Sequence, residues 1–211
     1  EEALLSIHRN ARAHLGLINN LLDLSRIESG KVPLLLEKID LRNLLSDLFE
    51  ELKPLIQEKP IEVIWKIGKQ IRPLQSDPQK IRQIILNLLS NAVKFTEMGS
   101  ITISVTAAPR RKGLYLAVED TGIGMKEKDL PTIFDPFRQI DGSMTRKVGG
   151  SGLGLTIVRN IVEVLHGKIE VRSQFGRGST FSIFLPASLS SLKSPQIKAD
   201  QTVPEKSRSQ P

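Results

Sequence analysis

The 211-residue sequence contains no cysteine, which excludes disulfide bonds and thiolate metal sites. Its three histidines, at 8, 14 and 166, do not form a plausible zinc cluster. Aromatic residues make up only 4% of the chain, with one tryptophan and one tyrosine, so little is available for stacking on nucleic-acid bases. No apolar run reaches the length of a membrane-spanning helix, and no signal-peptide pattern is present.

Hydrophobic residues account for 39% of the chain, which is enough for a packed core. The net charge of +7 comes from basic residues that are spread along the sequence. We therefore expect no nucleic-acid partner; a charge that favours solubility, or local attraction for a polyphosphate, fits better. Because the chain begins at Glu1 rather than methionine, we expect it to be part of a longer protein.

The first thirty residues predict one long amphipathic helix, from Glu2 to about Ser29. Its apolar residues recur in alternating steps of four and three, which is typical of a helix in a bundle or coiled coil. Gly30 and Pro33 end the helix. The residues of the repeat are Leu4, Ala11, Leu15, Ile18 and Leu22, with His8 in the same register.

Strands and helices then alternate, which predicts an α/β fold. A short strand within 32–40 leads to Asp40, the N-cap of a helix that runs to about residue 58 and bends at Pro54. Asp77 and Pro78 begin a second helix. Beyond residue 186 the composition predicts a disordered tail. The other predicted elements are strands at 61–67, 100–107, 114–120, 168–174 and 179–186, a helical turn at 126–133 and a helix at 153–165.

The second helix carries three polar side chains on a largely apolar background. Asn87 and Asn91 are four residues apart and share one face, and Lys94 is next to that face. Burying such groups without partners costs about 1–3 kcal/mol each. They either bond to neighbouring backbone or point into a cavity that holds a metal ion and phosphates.

The stretch EDTGIGM places Asp120 at the end of a strand, followed by Gly122 and Gly124. A carboxylate there can accept a hydrogen bond from the amino group of a base, and the glycines let the backbone approach a flat ring. Alone, the same residues also fit an ordinary turn.

A second glycine-rich stretch, GGSGLGLTIV, precedes a predicted helix. Exposed N–H groups at a helix start, with side chains removed, can bind an anion. The stretch is neither a Walker P-loop nor a dinucleotide fingerprint. Its glycines are Gly149, Gly150, Gly152 and Gly154.

Five motifs in this order resemble, one by one, the catalytic ATP-binding domain of sensor histidine kinases, a branch of the GHKL superfamily (gyrase, Hsp90, histidine kinase, MutL). The resemblance covers roughly residues 32–186, and DPFRQIDGSMTRKVGGSGLGL is most similar to the hybrid kinases. The motifs are Asn87-x-x-x-Asn91-x-x-Lys94-Phe95, Asp120-x-Gly122-x-Gly124, Phe134-x-x-Phe137, Gly150-x-Gly152-x-Gly154 and Gly176-x-Gly178-x-Thr180-x-x-x-x-Leu185-Pro186.

The resemblance implies a two-layer α/β sandwich, the Bergerat fold, with a mixed sheet of about five strands and three main helices. It also implies three regions. Residues 1–31 would be the second helix of a dimerisation hairpin, 32–187 the catalytic domain and 188–211 a tail or linker.

The resemblance further assigns roles to individual residues. Asn91 would bind Mg2+ with Asn87 lining the same site, Lys94 would lie near the phosphates, and Asp120 would read the adenine amino group. Residues from about 125 to 149 would form a mobile ATP lid. The implied ATP-binding residues are Asn91, Phe95, Asp120, Gly122, Gly124, Gly150, Gly152, Gly154, Leu155 and Thr180, the last beneath the adenine.

One position departs from the family pattern. Many members have an arginine two residues after the second Phe, directed at the γ-phosphate, and here that position is Gln139. Arg138 or Arg146 could supply the charge, with the Thr-Arg pair before the glycines favouring Arg146. Both could also be ordinary solvated charges.

Neither N-terminal histidine matches the family's phosphate acceptor, which is followed directly by Glu or Asp. His8 is followed by Arg9 and His14 by Leu15, so neither has an adjacent carboxylate base. The segment LINNLLDLSRIESGK instead resembles the end of the second hairpin helix. We therefore expect the acceptor to precede this chain. His166, at a predicted helix end, is interpreted as structural.

The sequence thus predicts a histidine-kinase catalytic domain that transfers the γ-phosphoryl group of Mg-ATP to a histidine on a separate hairpin of the same protein. A homodimeric parent, a downstream response regulator or receiver domain, and a cytoplasmic location, whether or not the parent is membrane-anchored, follow from the resemblance. An ATPase of the Hsp90, gyrase or MutL type is the first alternative, but those proteins have Glu where this chain has Asn87. A nucleotide-regulated interaction module is the second.

Overall fold

The computed structural model describes residues 33–57, 59–69, 71–108, 110, 112–139 and 151–189, together with seven separate positions between 11 and 25 that are all helical. The predictions for His8, His14, Arg146 and Gly150 therefore lie outside the described residues. The elements are β1 (Glu37–Ile39), α1 (Leu41–Gln57), β2 (Ile61–Ile67), β3 (Leu74–Ser76), α2 (Pro78–Phe95), β4 (Gly99–Ala108), β5 (Gly113–Asp120), a 3-10 helix (Glu127–Thr132), α3 (Gly154–Val164), β6 (Lys168–Gln174) and β7 (Gly178–Pro186).

Five strands form one mixed sheet in the order β2-β4-β5-β7-β6. Strand β2 is parallel to β4, and the other neighbours are antiparallel. From Ser179 to Pro186 the burial along β7 alternates, because successive side chains of a strand point to opposite faces. The apolar face of the sheet packs against the helices and forms the core. The predicted α/β sandwich is confirmed.

Helix α2 is the central helix of this layer and contacts both α1 and α3. Its N-cap is Asp77, which accepts hydrogen bonds from the backbone N–H groups of Gln79 and Lys80, and Pro78 occupies the first turn. The seven buried apolar side chains of α2 hold it against the sheet, so that its remaining polar face is positioned rigidly. They are Ile81, Ile84, Ile85, Leu88, Leu89, Ala92 and Val93.

Strand β3 was not predicted from the sequence, and it pairs with β1 in a separate two-stranded sheet. The segment after β7 joins this sheet, because the Gln75 N–H donates to the carbonyl of Ala187 at 2.9 Å. Leu189 is only 8% exposed. The packed domain therefore continues to Leu189, two residues past the predicted boundary at 187.

Part of the stretch predicted as a lid is folded against the domain. Residues 127–132 form the 3-10 helix, and Ile133 is buried while Phe134 packs on the core. Apolar contact thus holds the first third of the stretch, and residues 140–150 lie outside the described part of the chain. Within the described residues, no helix is both long and apolar enough to span a bilayer.

Candidate functional site

Helix α2 presents one polar face toward α3 and the loop after β5. Asn87, Asn91 and Phe95 follow one another at four-residue spacing, and Lys94 lies beside them; all four are half-buried. From Asn87 to Phe95 the helix rises about 12 Å. The Asn87 side chain donates to the Gln83 carbonyl at 2.9 Å. Of the two alternatives predicted for these polar groups, a hydrogen bond to neighbouring backbone is therefore present for Asn87.

The end of α2 meets the turn after β5. The N–H of Ile123 donates to the Phe95 carbonyl at 3.2 Å. A Cβ at Gly122 would lie 2.3 Å from the Phe95 carbonyl oxygen and 2.9 Å from Oδ1 of Asp120. Glycine is required at 122 because a Cβ would clash with the Phe95 backbone and the Asp120 side chain. The structure thus brings together Phe95, Asp120 and Gly122.

Gly124 packs against the β6–β7 hairpin. Its φ is +61°, and a Cβ there would lie 2.0 Å from the carbonyl oxygen of Gln174. The Gly176 N–H donates to the Ile123 carbonyl at 2.7 Å, and the Met125 N–H donates to the Ser173 hydroxyl at 2.8 Å. The loop that carries both predicted glycines is therefore attached to the hairpin on one side and to α2 on the other.

Asp120 is a buried carboxylate, 8% exposed. Burial raises its pKa above the ordinary 3.8, and the neighbouring Glu119 adds to that rise. Hydrogen bonds from the backbone N–H groups of Gly122 and Ser179 act in the opposite direction. The bond from Gly122 to Oδ1 measures 2.9 Å. These bonds hold the carboxylate in one orientation.

Lys94 is the cation of this face. Burial lowers its pKa from 10.5, since the charged ammonium loses hydration. Its Nζ lies 4.9 Å from the centroid of the Phe95 ring. A partly desolvated ammonium interacts more strongly with an anion than an exposed one does.

The beginning of α3 lies against the other end of the polar face of α2. A Cβ at Gly154 would lie 2.9 Å from Oδ1 of Asn87. The N-cap residue Leu153 makes no side-chain capping bond to the first turn of α3, and its own N–H donates to the Ser151 hydroxyl at 3.2 Å. Leu155 is half-buried and packs on the core. The first turn of α3 thus lies beside Asn87.

Two hydrogen bonds join the segments before and after residues 138–151. The Phe137 N–H donates to the Gly152 carbonyl at 3.1 Å, and the Thr156 hydroxyl donates to the Phe134 carbonyl at 2.9 Å. Gly152 has φ +70°, and a Cβ there would lie 2.7 Å from the carbonyl carbon of Phe137. Arg138 is exposed.

The structure places Thr180, for which a position beneath the adenine is predicted, on the sheet face opposite to Asp120. Thr180 pairs with Glu119, on the sheet face away from the helices, whereas Ser179 pairs with Asp120 on the helix side. Ser179 is 9% exposed and is the residue that sequence reasoning missed. Strand parity could have found it, since the buried positions 181, 183 and 185 share the face of 179.

Residues 76–189 match the family model described as histidine kinase-, DNA gyrase B- and HSP90-like ATPase. The chain belongs to this family. Family membership implies ATP binding, and the matched segment contains every residue of the face described above. Among the described residues, no group of three or more His, Cys, Asp or Glu side chains could hold a metal ion.

Individual relatives identify the histidine-kinase branch of the family. The chain is 41% identical over 179 residues to the autoinducer 2 sensor kinase/phosphatase LuxQ of Vibrio cholerae, an alignment of 83% of this chain and 21% of LuxQ. It is 37% identical over 188 residues to the circadian input-output histidine kinase CikA of Synechococcus elongatus, covering 88% of this chain and 25% of CikA. The chain therefore spans a fifth to a quarter of these relatives.

Solved structures agree with this relationship. Full-length ShkA in complex with AMPPNP superposes with a TM-score of 0.76 at 30% identity, covering 89% of this chain and 39% of ShkA. The histidine kinase AdeS of Acinetobacter baumannii, at 22% identity, shares the fold with a TM-score of 0.75, covering 89% of this chain and 85% of AdeS. The family domain is thus homologous to the catalytic ATP-binding domains of sensor histidine kinases.

Proposed function

We propose that this domain binds ATP along the polar face of α2 and transfers its γ-phosphoryl group to a histidine of a dimerisation hairpin. The observation that carries the proposal is the convergence of α2, the loop after β5 and the start of α3. Phosphoryl transfer depends mainly on positioning and on stabilisation of negative charge, rather than on covalent chemistry by the protein. The amide, carboxylate and ammonium groups on this face can position a nucleotide and stabilise negative charge.

The adenine would bind at the Phe95 end of the face. The Asp120 carboxylate accepts a hydrogen bond from the exocyclic amino group, and Gly122 and Gly124 leave room for the ring. Phe95 borders the ring. The buried, oriented state of Asp120 supports this role, because a carboxylate held by backbone N–H groups requires no reorganisation on binding.

The phosphates would extend toward α3. Lys94 contributes a desolvated positive charge, and the N–H groups at the start of α3, with Gly152 and Gly154, contribute hydrogen-bond donors. Leu155 borders this end. The same role is proposed for Gly150, which lies outside the described residues. For the γ-phosphate we propose Arg146, also outside them, with the exposed Arg138 as the alternative.

The amide side chains fit Mg2+, which prefers oxygen ligands and keeps several waters. Asn91 is half-buried, and no hydrogen bond from its amide to another described residue is found. Asn91 would therefore hold the ion, with Asn87 lining the same site. When bound, Mg2+ neutralises negative charge on the phosphates.

The acceptor is a histidine outside this chain. Its imidazole nitrogen forms a bond to the γ-phosphorus while the bond from phosphorus to the β–γ bridging oxygen breaks, and ADP leaves. We propose that residues 1–31 are the second helix of that hairpin, that 32–189 are the catalytic domain, and that the remaining residues are a tail or linker. The parent would be a homodimer that passes the phosphoryl group to a response regulator or receiver domain, and this portion would lie in the cytoplasm, where ATP is available.

The test is transfer in trans. The chain is incubated with γ-labelled ATP, Mg2+ and a separate hairpin that bears the acceptor histidine. We expect acid-labile label on the hairpin, loss of label with Asn91→Ala, and normal labelling with Asn43→Ala, an exposed asparagine of α1. Rapid release of free phosphate without hairpin labelling would instead identify an ATPase. Label on His8 or His14 would show that the acceptor lies in this chain.

A further inference from the structure

Three hydrogen bonds meet at one hydroxyl group behind the proposed base pocket. Ser173 Oγ accepts the Met125 N–H at 2.8 Å. It donates to the Gly178 carbonyl at 2.9 Å. It also lies 3.0 Å from Oγ of Ser179. Ser173 belongs to none of the sequence motifs, yet it connects the loop after β5 with both strands of the β6–β7 hairpin.

The number of protons determines the direction of each bond. A hydroxyl group has one hydrogen to donate and two lone pairs that accept. An amide N–H can only donate and a carbonyl oxygen can only accept. When the Ser173 proton is directed at the Gly178 carbonyl, Ser179 must donate its own proton to Ser173. The Ser179 oxygen then offers only lone pairs to any further partner.

Ser179 is directly beside Asp120. The two residues are paired across β5 and β7, and their side chains share the helix-facing side of the sheet. They are 9% and 8% exposed. Directly paired residues have Cβ atoms about 5 Å apart. The pocket wall therefore has a hydroxyl that only accepts next to the Asp120 carboxyl group, whose Oδ1 accepts the Gly122 N–H at 2.9 Å.

We propose that Ser173 is a specificity-determining positioning residue. Because Ser173 accepts the hydrogen bond of the Ser179 hydroxyl, this pocket wall selects a base edge that donates hydrogen bonds. An exocyclic amino group satisfies such a wall. A carbonyl at the same position, as in inosine triphosphate, would face acceptors and lose its own hydrogen bonds. The inference rests on the proposed nucleotide site. It adds a reason why that site would prefer a base with an exocyclic amino group.

Replacement of Ser173 by alanine frees the Ser179 proton. The Ser179 hydroxyl can then rotate and donate to a carbonyl, so discrimination against inosine triphosphate should weaken. We expect the ratio of the two dissociation constants, inosine triphosphate over ATP, to fall about tenfold, as for one neutral hydrogen bond. If Ser173 only supported the fold, its replacement would weaken the binding of both nucleotides equally and leave the ratio unchanged.

The experiment measures the dissociation constants of ATP and inosine triphosphate with the whole chain by calorimetry. The variants are Ser173→Ala, Ser179→Ala and the double variant, with Ser182→Ala as control, because Ser182 lies on β7 but on the opposite sheet face. We expect Ser173→Ala to lower the ratio, Ser182→Ala to leave it unchanged, and Ser173→Ala to have no further effect on the ratio once Ser179 is alanine.

Two results would overturn the inference. One is an unchanged ratio in a Ser173→Ala protein that still binds ATP. The other is an equal change of the ratio with Ser173→Ala whether position 179 is serine or alanine, since Ser179 would then not mediate the effect. A wild-type chain that binds neither nucleotide would contradict the proposed function itself, so the two failures are distinguishable.

Discussion

The buried carboxylate of Asp77 connects Leu35, before β1, to the first turn of α2. Oδ2 accepts the Leu35 N–H at 3.0 Å. Oδ1 accepts the N–H groups of Gln79 and Lys80 at 2.9 and 3.0 Å. Asp77 is 4% exposed, so solvent does not replace these bonds readily. One side chain thus links the segment that enters the domain to the helix that carries Asn87 and Asn91.

The first prediction separates the two functions of Asp77. Asp77→Ala should lower the free energy of unfolding by about 2 kcal/mol or more, because it removes the cap and leaves the Leu35 N–H without an acceptor. Asp77→Ser keeps a capping oxygen but lacks the second oxygen for Leu35. Its loss should be clearly smaller. Urea denaturation of both variants measures the difference, and equal losses would show that the cap contributes little.

The second prediction concerns pH. The pKa of Asp120 is higher in the folded state than its ordinary value of 3.8, because burial disfavours the carboxylate. The folded protein therefore binds a proton more tightly, and the contribution of Asp120 to stability should fall as pH rises from about 3.8 through its raised pKa. Urea denaturation of the wild type and of Asp120→Asn at a series of pH values across this range measures the difference between their free energies of unfolding. A stability difference that grows in favour of the wild type with rising pH would contradict the prediction.

The third prediction concerns Lys94, whose pKa is lowered from 10.5 by burial. A bound triphosphate places negative charge near the ammonium, so ATP should raise the pKa of Lys94. Titration of the lysine side-chain carbon signals by NMR, with and without saturating ATP, measures this change. Magnesium chloride alone is the control, since an added cation should not raise the pKa. An unchanged Lys94 titration in saturating ATP would place the phosphates elsewhere.

The fourth prediction concerns Gly154 and Asn87. In Gly154→Ala the new Cβ would lie 2.9 Å from Oδ1 of Asn87, the end of a side chain that can rotate away. We expect little change in stability but weaker binding of ATP with Mg2+, because the Asn87 amide leaves its position. In an Asn87→Ala background the same substitution should have little effect on binding. Calorimetric titration of both single variants and the double variant measures this coupling. Fully additive effects would show that Gly154 acts independently of Asn87.

Local patterns in the sequence were sufficient for most of the fold. The alternation in IEVIWKI predicted β2 with its observed bounds, and the Asp77-Pro78 pair predicted the start of α2. Strand β3 escaped prediction because three residues are too few to show a period. Its place depends on pairing with β1 and on the bond from Gln75 to Ala187, both distant in sequence.

For the site, the sequence by itself determined which chemical groups are present. The spacing of Asn87, Asn91 and Phe95 places them on one face of α2, because a helix repeats about every 3.6 residues. The alternation of β7 likewise divides its side chains between two faces. These are local periods, and any short window of the chain contains them.

Only the tertiary structure decided which of those groups meet. The register between β5 and β7 places Ser179, rather than Thr180, beside Asp120. A shift of one residue would reverse that choice, because it turns every side chain to the other face. Register is determined by burial of the whole apolar face against the helices, which depends on contacts between residues far apart in the chain. No local pattern contains that information.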